Sequence, residues 1–180
     1  QNGNVGTLLY VHGNPAGAYK KGREFMTIAD LTEQFIKAQI SFDDVLQIAK
    51  SKKIVYAPDA TMQAMLSDVQ GRTLVIEPGI GYREEQSKYS LITNYSLMKP
   101  ESTKDFIVSG DDRYERALPL LDNYKSKFSL SNAFELLYTV RQEGEWATRV
   151  SFVYSANDQT VYYVENNNFE HIRKFKFLPV

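Results

Sequence analysis

Hydrophobic and polar positions change period along the chain, and the changes mark out its elements. Residues 4–11, Asn-Val-Gly-Thr-Leu-Leu-Tyr-Val, are rich in strand formers and stop at His12-Gly13-Asn14-Pro15-Ala16-Gly17, a cluster that punctuates a strand. Ile28, Leu31, Phe35 and Ala38 recur at helical spacing, and Ser41 followed by Asp44 predicts a capping box that opens a second helix through about Lys52. Residues 62–68 and 72–77 are short apolar runs around Val69-Gln70-Gly71, which predicts a hairpin with Gly71 at positive φ. Pro78-Gly79-Ile80-Gly81 ends the hairpin, and residues 89–93 predict a third strand, so the three make an antiparallel meander.

After Pro100 the helical period returns. Asp111 or Asp112 is placed to cap a helix through about Asn123, with Tyr114, Ala117, Leu118 and Leu121 on one face and Pro119 inside it as a source of a kink. Asn132 with Glu135 predicts a cap for a further helix that carries Phe134, Leu137, Tyr138 and Arg141 and ends near Gly144. The chain closes in β: residues 148–155 and 159–165 flank the turn sequence Ala156-Asn157-Asp158, and Phe175 and Phe177 alternate with Lys174 and Lys176. Strand, two helices, strands, two helices, strands is the order of an α+β domain with helices packed on antiparallel sheets. No repeat or low-complexity linker interrupts it, so residues 1–180 are expected to form a single domain.

Composition narrows the function classes. With 21 Lys+Arg against 22 Asp+Glu the net charge is −1, and a chain without basic excess has no electrostatic attraction for nucleic acid or an acidic membrane. No apolar stretch approaches the roughly 18 residues of a membrane span. The sequence holds no cysteine, which removes disulfides, thiolate zinc sites and a thiol nucleophile from these residues, and it leaves the compartment open. It begins at Gln1 without Met, which raises the expectation of a piece of a longer chain.

The candidate chemistry is sparse. Gly79-Ile80-Gly81 lacks the third glycine and following helix of a dinucleotide fingerprint. Asp111-Asp112 reads as a helix cap or, alternatively, a metal-binding pair. His12 has no nucleophile or carboxylate beside it in sequence and reads as a solvated loop residue; the other histidine, His171, lies far along the chain.

Taken together, however, the pieces resemble the choloylglycine hydrolase family of linear-amide C–N hydrolases, which includes penicillin V acylases, over most of the 180 residues. The resemblance is carried by Gly3 with Leu9-Tyr10-Val11-His12-Gly13, by the helix pair from Thr27 to Val45, and by Leu66-Ser67-Asp68 with Gly71 before the run ending at Glu77. It continues with Leu91-Ile92-Thr93-Asn94, similar to the strand that delivers an active-site asparagine, and Asp112-Arg113-Tyr114, similar to the helix start that carries an active-site arginine.

What the resemblance implies is a four-layer αββα sandwich of the N-terminal-nucleophile hydrolase type, here missing its N-terminal strands. The implied reaction uses an N-terminal cysteine whose α-amine, titrating near neutrality, takes the thiol proton as the sulfur attacks an amide carbon. Asn94 is then expected to donate to the developing oxyanion, and Arg113 to favour the thiolate. The cysteine and a neighbouring aspartate belong to a segment upstream of Gln1, supplied by a longer chain or a second polypeptide. The implied substrate is a small N-acyl amide of the bile-salt, penicillin or fatty-acyl kind, with Tyr82, Tyr89 and Tyr95 as candidates to line an acyl pocket. Neither metal nor organic cofactor is called for. The alternative is a non-catalytic binding or interaction module on the same scaffold.

Overall fold

Alternation of apolar side chains sorts the first sheet into two faces. The computed structural model describes residues 3–20, 25–51, 53–109, 111–124 and 128–177, in two compact units divided after Ser109. Gln1, Asn2, Gly110 and the expected helix end at Lys52 lie outside the described residues.

The first unit runs β1 (Val5–Tyr10), β2 (Met26–Thr27), α1 (Ile28–Ile36), α2 (Phe42–Ser51), β3 (Ile54–Val55), β4 (Met62–Ser67), β5 (Thr73–Glu77) and β6 (Gly81–Glu85). Its main sheet has the order β1-β4-β5-β6, antiparallel throughout, while β2 and β3 form a small parallel pair. Ala64 and Leu66 of β4 and Leu74 and Ile76 of β5 pack in one buried cluster with Ile28, Leu31 and Phe35 of α1 and Phe42 and Val45 of α2. These are period-two positions on the strands and i, i+3, i+4 positions on the helices, so both patterns empty into one core. The predicted box at the start of α2 forms, Asp44 N donating to Ser41 Oγ at 3.1 Å and Ser41 N to Asp44 Oδ2 at 2.9 Å, and α1 has a cap that the sequence reading did not name, Thr27 Oγ1 accepting from Asp30 N at 3.1 Å. Gly71 closes the β4–β5 hairpin at φ +82°.

The third strand of the meander departs from expectation. It is β6, which starts at Gly81 and pairs with β5 directly across a tight Pro78–Ile80 turn, whereas residues 89–93 form no strand. The turn glycines that read as a terminator are instead the hairpin itself, closed by Ile80 N donating to Glu77 O at 3.0 Å.

The second unit comprises α3 (Arg113–Asn123), α4 (Leu130–Thr139), β7 (Val150–Ser155), β8 (Thr160–Glu165) and β9 (Arg173–Lys176), with β7-β8-β9 an antiparallel meander. Pro119 sits inside α3. Asp112, at the N-cap position, makes no side-chain cap bond, and its carboxylate pairs with Arg116 Nε at 2.8 Å instead. The start of α4 also differs: the capping box is Ser129 with Asn132, and the helix ends at Thr139, ahead of Gly144. Asn132 therefore occupies the third helical position, one turn later than its predicted cap role. Helices and antiparallel sheets are both present in this α+β chain.

Candidate active site

Since Met62, Ala64, Leu66, Leu74 and Ile76 face the helices, the residues one step out of phase, Gln63 on β4 and Glu77 on β5, must face the other way. Both are polar and almost wholly buried, at 0% and 3% exposure. Buried polar groups call for partners, and the Gln63 side-chain nitrogen and the Glu77 carboxylate find theirs on the segment that carries Asn94, while Gln63 Oε1 has no hydrogen-bond partner among the described residues. Gln63 Nε2 donates to the carbonyl of Thr93 and, at 3.4 Å, to that of Tyr95. The Glu77 carboxylate accepts from Ser96 Oγ, from Leu97 N at 3.1 Å and from Met98 N at 3.3 Å. Ser96 N donates in turn to Thr103 Oγ1 at 2.9 Å. Asn94, in a bend and not at a strand end, is thus held between two anchors rising from adjacent strands, and its Nδ2 donates to the Tyr10 carbonyl at 2.8 Å.

Tyr10 ends β1 and lines a cleft of about 510 Å³, within the size range of small-molecule sites. Tyr10, Tyr19 and Tyr56 give it aromatic walls, Pro15 and Pro58 add apolar surface, and His12 and Asn14 are its polar members. The 12–17 loop keeps its shape through Asn14, whose Oδ1 accepts from Ala16 N at 3.0 Å and Gly17 N at 3.3 Å while its Nδ2 donates to Pro78 O at 3.1 Å. Tyr56 is buried, and its hydroxyl accepts from Asn14 N at 3.2 Å. Burial lifts this phenol above its ordinary ionisation range, the hydrogen bond from Asn14 works against the lift, and the Glu77 charge adds to it. His12 is half-buried, with its ring stacked on Phe106 at 3.3 Å between centroids, and is not the solvated loop residue its sequence context suggests.

Arg113 belongs to the second unit. At the start of α3 its Nε and Nη2 grip Asp111 at 2.7 and 2.6 Å, a fork-to-carboxylate pair that holds the Asp111 carboxyl below its usual range. With Asp111 on Arg113 and Asp112 on Arg116, each carboxylate of the alternative metal pair has a cationic partner. Among the described residues no group of three His, Asp or Glu side chains is arranged for a metal, and no helix is long and apolar enough to cross a membrane.

The tyrosines named from sequence lie elsewhere than the large cleft: Tyr82 packs against the core, and the Tyr95 carbonyl meets Gln63. Tyr10, Tyr19 and Tyr56 take their place. Only their proximity in space identifies them, because nothing in the spacing of positions 10, 19 and 56 connects them.

No protein-family model matches the chain, and no curated protein does. Solved structures do: the conjugated bile acid hydrolase of Clostridium perfringens, in a cysteine-to-alanine variant, superposes with a TM-score of 0.64 at 15% identity, covering 97% of this chain and 70% of that one. An arginine-to-leucine variant of the same hydrolase gives 0.64 and 15% over 98% of this chain. The chain therefore shares the fold of a choloylglycine hydrolase along nearly its whole length, as the motifs led us to expect.

Proposed function

We propose that this chain is the C-terminal portion of a hydrolase of linear N-acyl amides, with Asn94 as an oxyanion donor beside the aromatic cleft. The observation that carries the reading is the anchoring of Asn94: a side-chain amide needs a fixed direction to stabilise charge that appears only in the transition state, and Gln63 and Glu77 hold its segment on both sides. A cleft walled by Tyr10, Tyr19 and Tyr56 suits an apolar acyl group, and the bile-acid conjugate, penicillin and fatty-acyl amides all fit that class. The nucleophile comes from outside these residues, since none of the 180 is a cysteine. An N-terminal cysteine would attack the amide carbon, its α-amine would take the thiol proton and pass it to the leaving amine, and water would release the acyl group. Arg113 is assigned the electrostatic support of that thiolate, with Asp111 setting its orientation; residues 1–180 then act as one amidase-like domain.

The second reading, a binding module on the same scaffold, rests on the absence of a cysteine from the sequence. The two separate in one assay: the full-length gene product, with whatever precedes Gln1, is offered conjugated bile acid, penicillin V and a fatty-acyl amide, and amine release is followed. Turnover by a cysteine-bearing product, lowered by about 10²–10³ in kcat in Asn94→Ala, supports the hydrolase. Arg113→Ala should also lower kcat. Binding without amine release supports the module, and turnover indifferent to Asn94→Ala removes Asn94 from the mechanism.

A further inference from the structure

One side chain in the wall of the large cleft is buried with a proton still to give. Tyr56 follows β3, is 4% exposed, and is enclosed by residues of the first unit itself. A Cβ on Gly17 would fall 2.7 Å from its Cε2, so glycine at that position is what lets the ring lie against the 12–17 loop. The backbone closes the same contact, Tyr56 N donating to Gly17 O at 2.8 Å. The hydroxyl lies on Asn14, accepting from its backbone N at 3.2 Å and from its Nδ2 at 3.3 Å.

The loop settles the direction of these bonds. Asn14 Oδ1 is taken up by Ala16 N and Gly17 N, and Asn14 Nδ2 also donates to Pro78 O, so the amide can turn only its nitrogen toward Tyr56. A phenol oxygen that accepts twice keeps its own proton for a third partner, and among the described residues no acceptor takes it. The other polar side chains of the wall are differently employed: Asn14 is committed to the loop, Thr61 Oγ1 donates to Val11 O at 2.7 Å, and the His12 ring lies on Phe106. Burial, with the Glu77 charge beside it, keeps the phenol protonated at neutral pH and hence a donor. A buried donor calls for an acceptor, and the cleft that Tyr56 lines is the space from which one can come.

We propose that Tyr56 reads the acyl group: its hydroxyl donates to an oxygen carried by that group, so the amides this site takes bear an ether, hydroxyl or keto oxygen in the acyl part in place of plain hydrocarbon. The assignment rests on the hydrolase reading and narrows it. Aromatic walls alone accept any apolar acyl group, whereas one buried donor distinguishes an oxygen from a methylene of similar size. Tyr10 links the two ends of the site, lining the cleft while its carbonyl receives Asn94 Nδ2. An acyl group whose carbonyl lies at Asn94 would enter the cleft along Tyr10, toward Tyr56.

The probes are N-acylglycines that differ in one atom of the acyl chain, phenoxyacetyl, phenylthioacetyl and 3-phenylpropionyl, with dodecanoylglycine and its 3-oxo form as a second set. Offered to the full-length gene product, the oxygen-bearing member of a set should exceed its sulfur or methylene counterpart in kcat/KM by about five- to tenfold, the worth of one neutral hydrogen bond, and Tyr56→Phe should bring that ratio near one. Should the variant fold poorly, as its melting temperature reports, the ranking in the unaltered protein carries the test, because a thioether resembles the ether in shape and accepts hydrogen bonds weakly. Equal turnover within both sets, or a preference that survives Tyr56→Phe, overturns the proposal and leaves the hydrolase reading standing; equal turnover is also the outcome if another part of the chain takes the Tyr56 proton. Where no amine is released from any of them, the free acids are titrated instead. The same ranking in their dissociation constants, lost in Tyr56→Phe, keeps the Tyr56 assignment and removes the hydrolase, and equal binding removes both.

Discussion

Gly79 shows how one residue can hold the rim of the candidate site. It sits at φ +78°, and a Cβ there would fall 2.2 Å from Gly17 N and 2.6 Å from Asn14 Oδ1, both in the loop that shapes the cleft. Gly71 also has positive φ, +82°, but a Cβ there would meet nothing within 4 Å. Alanine at Gly71 should therefore cost about 1 kcal/mol, the left-handed strain alone. Alanine at Gly79 adds a backbone collision that no side chain can relieve, and should cost well above that while loosening the 12–17 loop. Urea midpoints of the two variants, with hydrogen exchange at Ala16 and Gly17, check the contrast. Glu77 belongs to the same scale. Its sequence position at the end of an apolar run made it visible, but a carboxylate accepting from Ser96, Leu97 and Met98 could be recognised only once β5 and that segment lay together.

Among the elements, the amphipathic ones were legible and the punctuation was harder. α1 and α2 formed where Ile28, Leu31, Phe35 and the Ser41–Asp44 box placed them, because spacing and cap are local signals. For α4 two cap patterns compete three residues apart: Ser129 with Asn132, and Asn132 with Glu135. The first wins, and it puts Ala133 and Phe134 into the buried face. Ser129→Ala should cost about 1 kcal/mol, Asn132→Ala a similar amount, and the double variant less than the sum, because both remove one reciprocal box. Glu135→Ala should leave α4 nearly unchanged; thermal melting of the four variants decides between the caps. β6 was missed for a related reason. Pro78 to Gly81 carries turn residues that end a strand or reverse it equally well, and only pairing with β5 shows that the chain reverses.

At the scale of the whole molecule, acid sensitivity follows from the ion pair at the start of α3. The hydrogen bonds and charge of Arg113 depress the Asp111 carboxyl below its unfolded value of 3.8. A depressed carboxylate contributes stability above the unfolded pKa and loses it as pH falls through the folded one. Acid denaturation below about pH 4 should thus include a component that Asp111→Asn removes, seen as a flatter stability profile between about pH 2 and 5. Larger questions of assembly divide in the same way between chain and fold. Amino-acid order by itself determined the class of elements, the sides of the helices and strands that are buried, and the resemblance that led to the shared fold, because periodicity, caps and short motifs are written locally. Tertiary structure alone decided that β1 lies beside β4, that β6 follows the Pro78 turn, that Asn94 is anchored by Gln63 and Glu77, and that Tyr10, Tyr19 and Tyr56 surround one cleft. Those are contacts between residues tens of positions apart, and they are set by which buried polar and apolar surfaces can be satisfied together in space.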